Sequence, residues 1–317
     1  MNRLPPLLAI VGPTATGKTA VAVEVAKRLK GEIVSADSML IYRGMDIGTA
    51  KPTVEERQGI PHYMIDLIDP NEPYSVALYQ EQAEKCILEI VKRGRLPLLV
   101  GGTGLYVRSI IDPYSFPRTG INDSLRQRWQ EEAKALGREV VYRRLAEVDP
   151  ETAGKLHPNN LKRVIRALEV YYLTGRPISW QQDKKIEPKY NLAIFGLTIE
   201  RSLLYQRIEE RVDKMLAAGL VEEVRQLFKR GYGLELISMQ GLGYKEIAQY
   251  LTGQITLETA VYLLKRNTRH FAKRQMTWFR RDQRIKWIDV TYSRNVQDIA
   301  EEIIISTEGV FKEMSKI

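Results

Sequence analysis

The chain has 317 residues, 44% of them hydrophobic and 27% charged, which is about two domains' worth of a globular, water-soluble protein and excludes a disordered or collagen-like chain. No run approaches the roughly 18 consecutive apolar residues of a membrane span, and the apolar stretch near the start is too short for a signal peptide, so the expected location is the cytoplasm. A single cysteine, Cys86, excludes an internal disulfide, a cysteine-rich zinc site and an iron–sulfur cluster held within one chain.

Charge narrows the partner. The net charge is +9, yet residues 1–114 are neutral, residues 115–200 carry +4 and residues 201–317 carry +5. An excess confined to the later parts of the chain points to a polyanion bound there, leaving the first third for another ligand.

In chain order, LLAIV at 7–11 reads as a strand, a glycine loop follows, and TAVAVEVAKRLK brings Val21, Val25 and Leu29 to helical spacing. Strands are expected at 32–37, 63–69 and 96–102, with a helix over Val76–Arg93 in which Cys86 shares a buried face with Ala83, Ile87 and Ile90. Near-continuous apolar strands alternating with helices predict an α/β fold, a P-loop NTPase-like parallel sheet flanked by helices on both faces. From about Asp112 the strand signals stop, and amphipathic helical stretches follow at 124–137, 138–148 and 159–175, with Tyr171, Tyr172 and Trp180 expected in their core. A strand returns at 191–199, helices are expected over 201–229 and 256–278, a last strand at 285–290 and a closing helix at 296–305. The predicted organisation is a P-loop-type catalytic core of 1–114 and 191–317, interrupted by an all-helical insertion domain at 115–190.

Gly12-Pro13-Thr14-Ala15-Thr16-Gly17-Lys18-Thr19 fits the P-loop pattern G-x-x-x-x-G-K-[ST], and it lies between a strand and a helix, where the pattern has meaning. The glycines let backbone N–H groups turn toward phosphate oxygens, and the following helix adds the positive end of its dipole. Lys18 then neutralises the outer phosphate and the Thr19 hydroxyl ligates Mg²⁺. By motif alone the ligand is a nucleotide such as ATP. The strand at 96–102, however, runs into Gly101-Gly102-Thr103-Gly104 where a nucleotide hydrolase would place its second acid. Asp37 follows the second strand at the carboxyl edge of the sheet, where ligands bind in open α/β folds, although on position alone it serves equally as a helix cap or turn residue. His62, His157 and His270 lack metal-ligand spacing. Residues 261–290 carry nine basic side chains against two acids, interleaved with His270, Phe271, Trp278 and Phe279, a pattern that suits phosphates and stacked bases but also a solvated helix face.

The stretch Asp37-Ser38-Met39-Leu40-Ile41-Tyr42-Arg43-Gly44-Met45-Asp46-Ile47-Gly48-Thr49-Ala50-Lys51-Pro52 closely resembles the signature of bacterial tRNA dimethylallyltransferases, the tRNA isopentenyltransferase or IPP transferase family. The resemblance extends over the whole chain, through GPTATGKT, VGGTGLY at 100–106, HPNN followed by KRVIRALEV at 157–170, RIEERVDKML at 207–216 and KRQMTWFR at 273–280. Leu40 stands where the family commonly has Gln.

What the resemblance implies is a P-loop fold that binds dimethylallyl diphosphate in place of ATP. Such an enzyme transfers the dimethylallyl group to the exocyclic N6 of the adenosine 3′-adjacent to the anticodon of tRNA and releases diphosphate, with Mg²⁺ as cofactor. It implies that Gly12, Pro13, Thr14, Ala15, Thr16, Gly17, Lys18 and Thr19 hold the diphosphate, that Asp37 takes the N6 proton, that Thr103 contacts substrate and that Arg211 assists at the diphosphate. RIEER reads equally as a charged helix face. By the same resemblance Asp37, Ser38, Met39, Leu40, Thr103, Gln240, Gly241 and Gly243 face the tRNA. Arg126, Lys162, Arg163, Arg166, Lys273, Arg274 and Arg280 would meet its phosphates, the insertion gripping the anticodon stem while the target base flips out. A monomer without membrane contact is expected.

Overall fold

The structure is a computed structural model that describes residues 4–113, 116, 122–181, 187–292 and 295–311. It divides into two compact units, one of residues 1–112 with 188–317 and one of residues 113–187.

In the first unit β1 (Pro6–Val11) leads through the glycine loop into α1 (Lys18–Arg28), followed by β2 (Gly31–Ser35), α2 (Val54–Arg57), β3 (His62–Tyr63), α3 (Val76–Lys92), β4 (Leu96–Gly101) and α4 (Gly104–Ile111). The second unit consists of α5 (Asp123–Leu136), α6 (Arg138–Val148), α7 (Pro150–Gly154) and α8 (Leu161–Thr174). The chain then returns through β5 (Asn191–Thr198), α9 (Arg201–Ala217), α10 (Leu220–Lys229), α11 (Tyr244–Leu251), α12 (Leu257–Phe279), β6 (Lys286–Asp289) and α13 (Val296–Phe311).

The six strands form one parallel sheet in the order β3-β2-β4-β1-β5-β6, the α/β architecture that the alternation of elements predicts. β1 is apolar throughout because both of its faces are covered. Leu8 and Ile10 pack with Val21, Val25 and Ile303, whereas Leu7, Ala9 and Val11 pack with Tyr79, Ile87 and Ile110. Leu7, Leu8 and Ile10 are fully buried, worth about 1.5–3 kcal/mol each. The strand that carries the phosphate loop is therefore among the least deformable parts of the unit.

The strand expected at 63–69 is the main departure. Only His62 and Tyr63 pair with β2, because Met64 and Asp66 adopt positive φ of 64° and 55°, which a strand does not accommodate. The segment instead supports the loop after β2: the Asp66 and Leu67 amides donate to the Leu40 and Ile41 carbonyls at 3.0 and 2.7 Å. The helix expected over 201–229 is two helices, α9 and α10, separated at Gly219 with φ 99°. α2, α4, α7 and α11 were not among the expected helices, although the Thr53–Glu56 capping box opens α2 and Asp149-Pro150 opens α7. Cys86 is half-buried on α3 beside the buried Ala83, Ile87 and Ile90, and burial pushes its thiol pKa up, away from reactivity.

The second unit packs α5–α8 around Trp129, Val141, Leu145, Val164 and Leu168. Tyr172 and Trp180, expected in this core, are 53% and 48% exposed. The buried run of α8 ends at Val170, so its last turn carries Tyr172 out, its ring tilted against Trp129 at 5.3 Å and edge-on to Tyr171 at 5.8 Å, and Trp180 stacks under the Arg176 guanidinium at 4.2 Å. Among the described residues no helix is long and apolar enough to cross a membrane.

Candidate active site

The phosphate loop is shaped by its backbone. Gly12 takes φ 136°, and a Cβ there would lie 2.6 Å from the Leu197 carbonyl oxygen of β5, so only glycine fits. Ala15 and Gly17 follow with φ 64° and 84°. Two donors close the loop on one acceptor, Thr16 Oγ1 at 2.9 Å and Lys18 Nζ at 2.6 Å from the Pro13 carbonyl oxygen. The Thr14 amide points elsewhere, donating to Gln275 Oε1 on α12 at 2.9 Å. Gly17 and Thr19 are exposed, and among the described residues nothing bonds to the Thr19 hydroxyl.

Lys18 is half-buried and its pKa falls to about 7, first because burial penalises the ammonium and second because the Arg211 charge repels it; the Asp37 carboxylate opposes both. A ligand-free lysine near 7 should regain its proton when a diphosphate arrives. Because binding raises this pKa, the contribution of Lys18 to affinity is fully present below pH 7 and declines as pH rises toward the bound-state value. Pyrophosphate binding at pH 8 is therefore expected to take up a proton, read by calorimetry in two buffers of different ionisation enthalpy, and Lys18→Ala should abolish that uptake. Equal uptake in wild type and variant would remove Lys18 from the phosphate contacts.

A second group of residues is built where β2 and β4 end. The Ala36 amide donates to the Val100 carbonyl at 2.8 Å and the Thr103 amide to the Ala36 carbonyl at 3.1 Å. The two segments come so close that a Cβ on Gly101 would lie 2.2 Å from the Ala36 oxygen. Thr103 Oγ1 accepts from the Ser38 amide at 3.1 Å, and Asp37 Oδ1 accepts from the Met39 amide at 2.9 Å. Asp37 is thus a turn residue by one oxygen, the alternative its position left open, and that bond is the only one its carboxylate receives among the described residues. Arg211, on α9, is half-buried; burial lowers its pKa, and Asp37 is the largest influence holding its proton on. Lys18, Asp37 and Arg211 therefore lie within electrostatic reach of one another, with Thr103 beside Asp37.

Much of the stretch 37–52 anchors the loop that carries Asp37. The Glu223 carboxylate of α10 accepts the amides of Asp46, Ile47 and Gly48 at 3.0, 2.8 and 3.1 Å and the Tyr244 hydroxyl at 2.6 Å. Gly48 lies against the Tyr244 ring, where any Cβ would be within 2.6 Å. Lys51 is buried and donates to the Tyr42 carbonyl, Asp46 and Asp66. Met39 covers Gly241, Leu40 is half-buried with its carbonyl bonded to the Asp66 amide, the Gln240 side chain donates to the Leu234 carbonyl, and Gly243 opens α11 with φ 89°. Glu223, Tyr244, Lys51 and Gln275 were not singled out from sequence. Glu223 had no signal at all, since its partners are main-chain amides far away in the chain.

The basic residues separate into two groups. Lys265 and Arg269 pair with Asp213 and Glu209, and Arg284 pairs with Asp112 and Asp282. Lys273, Arg274 and Arg280 are exposed and, among the described residues, without an ion pair; Arg274 lies over Phe271 at 5.8 Å. In the second unit Arg126 and Arg166 clasp the fully buried Glu169, whose pKa is lowered: burial works against its charge, and the bonds from Arg126, the Asn122 amide and Arg166 outweigh burial. Lys162 and Arg163 on α8 are exposed, with no such bond among the described residues.

The sheet and the loop after β1 place the chain in the class of P-loop α/β proteins. The sequence model of the IPP transferase family, described as "IPP transferase", matches residues 40–282, and the chain belongs to that family. It is 56% identical over 310 residues to the tRNA dimethylallyltransferase of Pelotomaculum thermopropionicum, covering 98% of each chain. It resembles the crystal structure of the full-length tRNA isopentenylpyrophosphate transferase of Bacillus halodurans with a TM-score of 0.73 and 46% identity, covering 98% of both chains. A eukaryotic dimethylallyltransferase solved acting on tRNA superposes with a TM-score of 0.84 at 29% identity, over 97% of this chain and 79% of that one.

Proposed function

We propose that this chain transfers a dimethylallyl group from dimethylallyl diphosphate to the exocyclic N6 of the adenosine 3′-adjacent to the anticodon of tRNA, releasing diphosphate. The observation that carries the reading is the grouping of two cations, Lys18 and Arg211, with one carboxylate, Asp37, at a single edge of the sheet. N6 is a poor nucleophile because its lone pair is delocalised into the ring, whereas an allylic C–O bond breaks early because the cation is resonance-stabilised. Leaving-group stabilisation therefore dominates. As the N6 lone pair forms the bond to C1, the C1–O bond breaks and its electron pair moves onto the diphosphate. The loop amides, Lys18 and Arg211 stabilise that charge, and the N6 proton passes to Asp37. Thr103, beside Asp37, orients the acceptor.

Mg²⁺ fits the residues present. Thr19 offers an unengaged hydroxyl at the start of α1, and magnesium is commonly held by few protein ligands together with substrate phosphates and water. When bound it would add charge neutralisation at the diphosphate. The exposed Lys162, Arg163, Lys273, Arg274 and Arg280 would meet tRNA phosphates, while Arg126 and Arg166, engaged by Glu169, serve mainly to hold the second unit together. A base stacked in the anticodon loop cannot bring its N6 to Asp37, so the target adenosine flips out. One chain carries both substrate sites, so a monomer suffices, acting in the cytoplasm where tRNA resides.

The direct test is incubation with unmodified tRNA, Mg²⁺ and dimethylallyl diphosphate labelled in the allyl group. Label is expected on N6 of that adenosine, and its absence from the RNA would overturn the reading. A second measurement concerns the exposed cations. Each phosphate contact removed lowers the slope of log affinity against log salt by about 0.7–0.9, so Lys273→Ala combined with Arg274→Ala should weaken tRNA binding and flatten its salt dependence. An unchanged slope would make these residues a solvated face.

A further inference from the structure

Gln275 lies on α12 and is only 6% exposed, although nothing about a buried polar side chain favours that position energetically unless both ends of its amide are bonded. They are bonded to the two halves of the site. Gln275 Oε1 accepts from the Thr14 amide of the phosphate loop at 2.9 Å, and Nε2 donates to the Gly102 carbonyl at 2.9 Å, one residue before Thr103. Gly102 leaves the room that this requires, since a Cβ there would lie 2.2 Å from Nε2. One turn along the helix, the Trp278 ring occupies the space a Cβ on Gly104 would need, 2.2 Å away. α12 therefore holds the turn that presents Thr103 on both sides, and through Gln275 it also holds the phosphate loop. The helix itself is anchored, with Ala272 buried in the core on one face of the sheet and Phe279 in the core on the other.

Each half of the site keeps its own shape without Gln275. The phosphate loop is closed by the bonds of Thr16 and Lys18 to Pro13, and the acceptor side by the bonds linking Ala36, Ser38, Val100 and Thr103. The pairing of β1 with β4 fixes their spacing as far as Val11 and Gly101, and beyond the strand ends Gln275 adds the link that holds Thr14 against Gly102. We propose, resting on the prenyl-transfer reading above, that Gln275 is a positioning residue that sets the register between the diphosphate cradle and the acceptor side. Its loss misplaces the allylic carbon relative to N6 and leaves the binding of either substrate intact. Misplacement of reacting atoms by about 1 Å can cost on the order of 10² in rate.

The test is Gln275→Met, which keeps the length and apolar bulk of the side chain and removes both hydrogen bonds. Turnover is expected to fall by roughly 10–100-fold, while affinities for pyrophosphate with Mg²⁺ and for tRNA stay within about threefold of wild type. The share of dimethylallyl diphosphate lost to water in the presence of tRNA should rise, because a cation formed out of register is trapped by solvent. Gly102→Ala is the second variant, since its methyl displaces the Gln275 amide by an independent route. It is expected to show the same split, and the double variant little beyond either single one. The inference fails if Gln275→Met turns over within twofold of wild type, or if turnover and both affinities fall in proportion to the folded fraction with an unchanged hydrolysis share. Should Gln275→Met not fold, normal turnover in Gly102→Ala would overturn the inference and the predicted split would support it. Wild-type protein that binds pyrophosphate but labels no tRNA would instead count against the prenyl-transfer reading.

Discussion

Replacing Lys18 by alanine is expected to reduce prenyl transfer by about 10²–10³-fold, the usual consequence of removing one preorganised partner of developing charge. The ammonium is drawn to the site by its geometry: it closes the phosphate loop on the Pro13 carbonyl and shares the field of Arg211 and Asp37. In that position, on the proposed reaction, it acts on the leaving group and not on the RNA. Diphosphate affinity and turnover should both drop in Lys18→Ala, while tRNA affinity measured without the donor should persist. Arg211 remains in the variant, so a residual rate above the uncatalysed reaction is expected, and Lys18→Arg should recover little, because a planar guanidinium cannot occupy the place of a compact ammonium in so tight a loop. The measurement is single-turnover transfer to tRNA beside separate binding titrations. A variant within a few-fold of wild type would remove the phosphate-loop assignment altogether.

Asp37→Asn is expected to separate chemistry from binding. The amide oxygen of Asn can still accept from the Met39 amide, so the turn that places residues 37–39 survives. What the variant loses, on the proposed reaction, is the group that takes up the N6 proton, an effect of about 10²–10⁴-fold in turnover. Affinities for pyrophosphate and tRNA should remain near those of wild type. Removing the carboxylate also removes the influence that favours the charged forms of Lys18 and Arg211, so the apparent pKa of Lys18 should fall further, and the proton taken up with pyrophosphate at pH 8 should not decrease. A variant that loses substrate affinity and thermal stability together would make Asp37 a turn residue and no more.

The two loop motifs behaved differently as guides. The phosphate loop was legible because its requirements are local: positive φ at Gly12 and Gly17 and a lysine opening a helix are written in eight consecutive residues. The stretch 37–52 was legible as a family signature, but its physical content lies largely in packing. Gly48 makes room for Tyr244, Lys51 bridges Tyr42, Asp46 and Asp66, and residues 46–48 turn their amides to Glu223. Only Asp37 and its neighbours stand at the sheet edge beside Thr103. Charge counting likewise does not show pairing: Arg126 and Arg166 contribute to the basic total of the insertion while being held by Glu169.

By itself the sequence determined the alternation of apolar strands and helices, the parallel sheet that follows from it, the phosphate loop and the boundary at which helices replace strands. These are properties of hydrophobic period and backbone conformation, which are decided within ten or twenty neighbouring residues. The tertiary structure alone decided that residues 64–69 leave the sheet to support the loop after β2, that Glu223 gathers three amides of that loop, and that Gln275 links Thr14 to Gly102. A hydrogen bond between groups distant in sequence depends on which surfaces pack together, and a buried carboxylate or amide reads like any exposed one until its partners are in place.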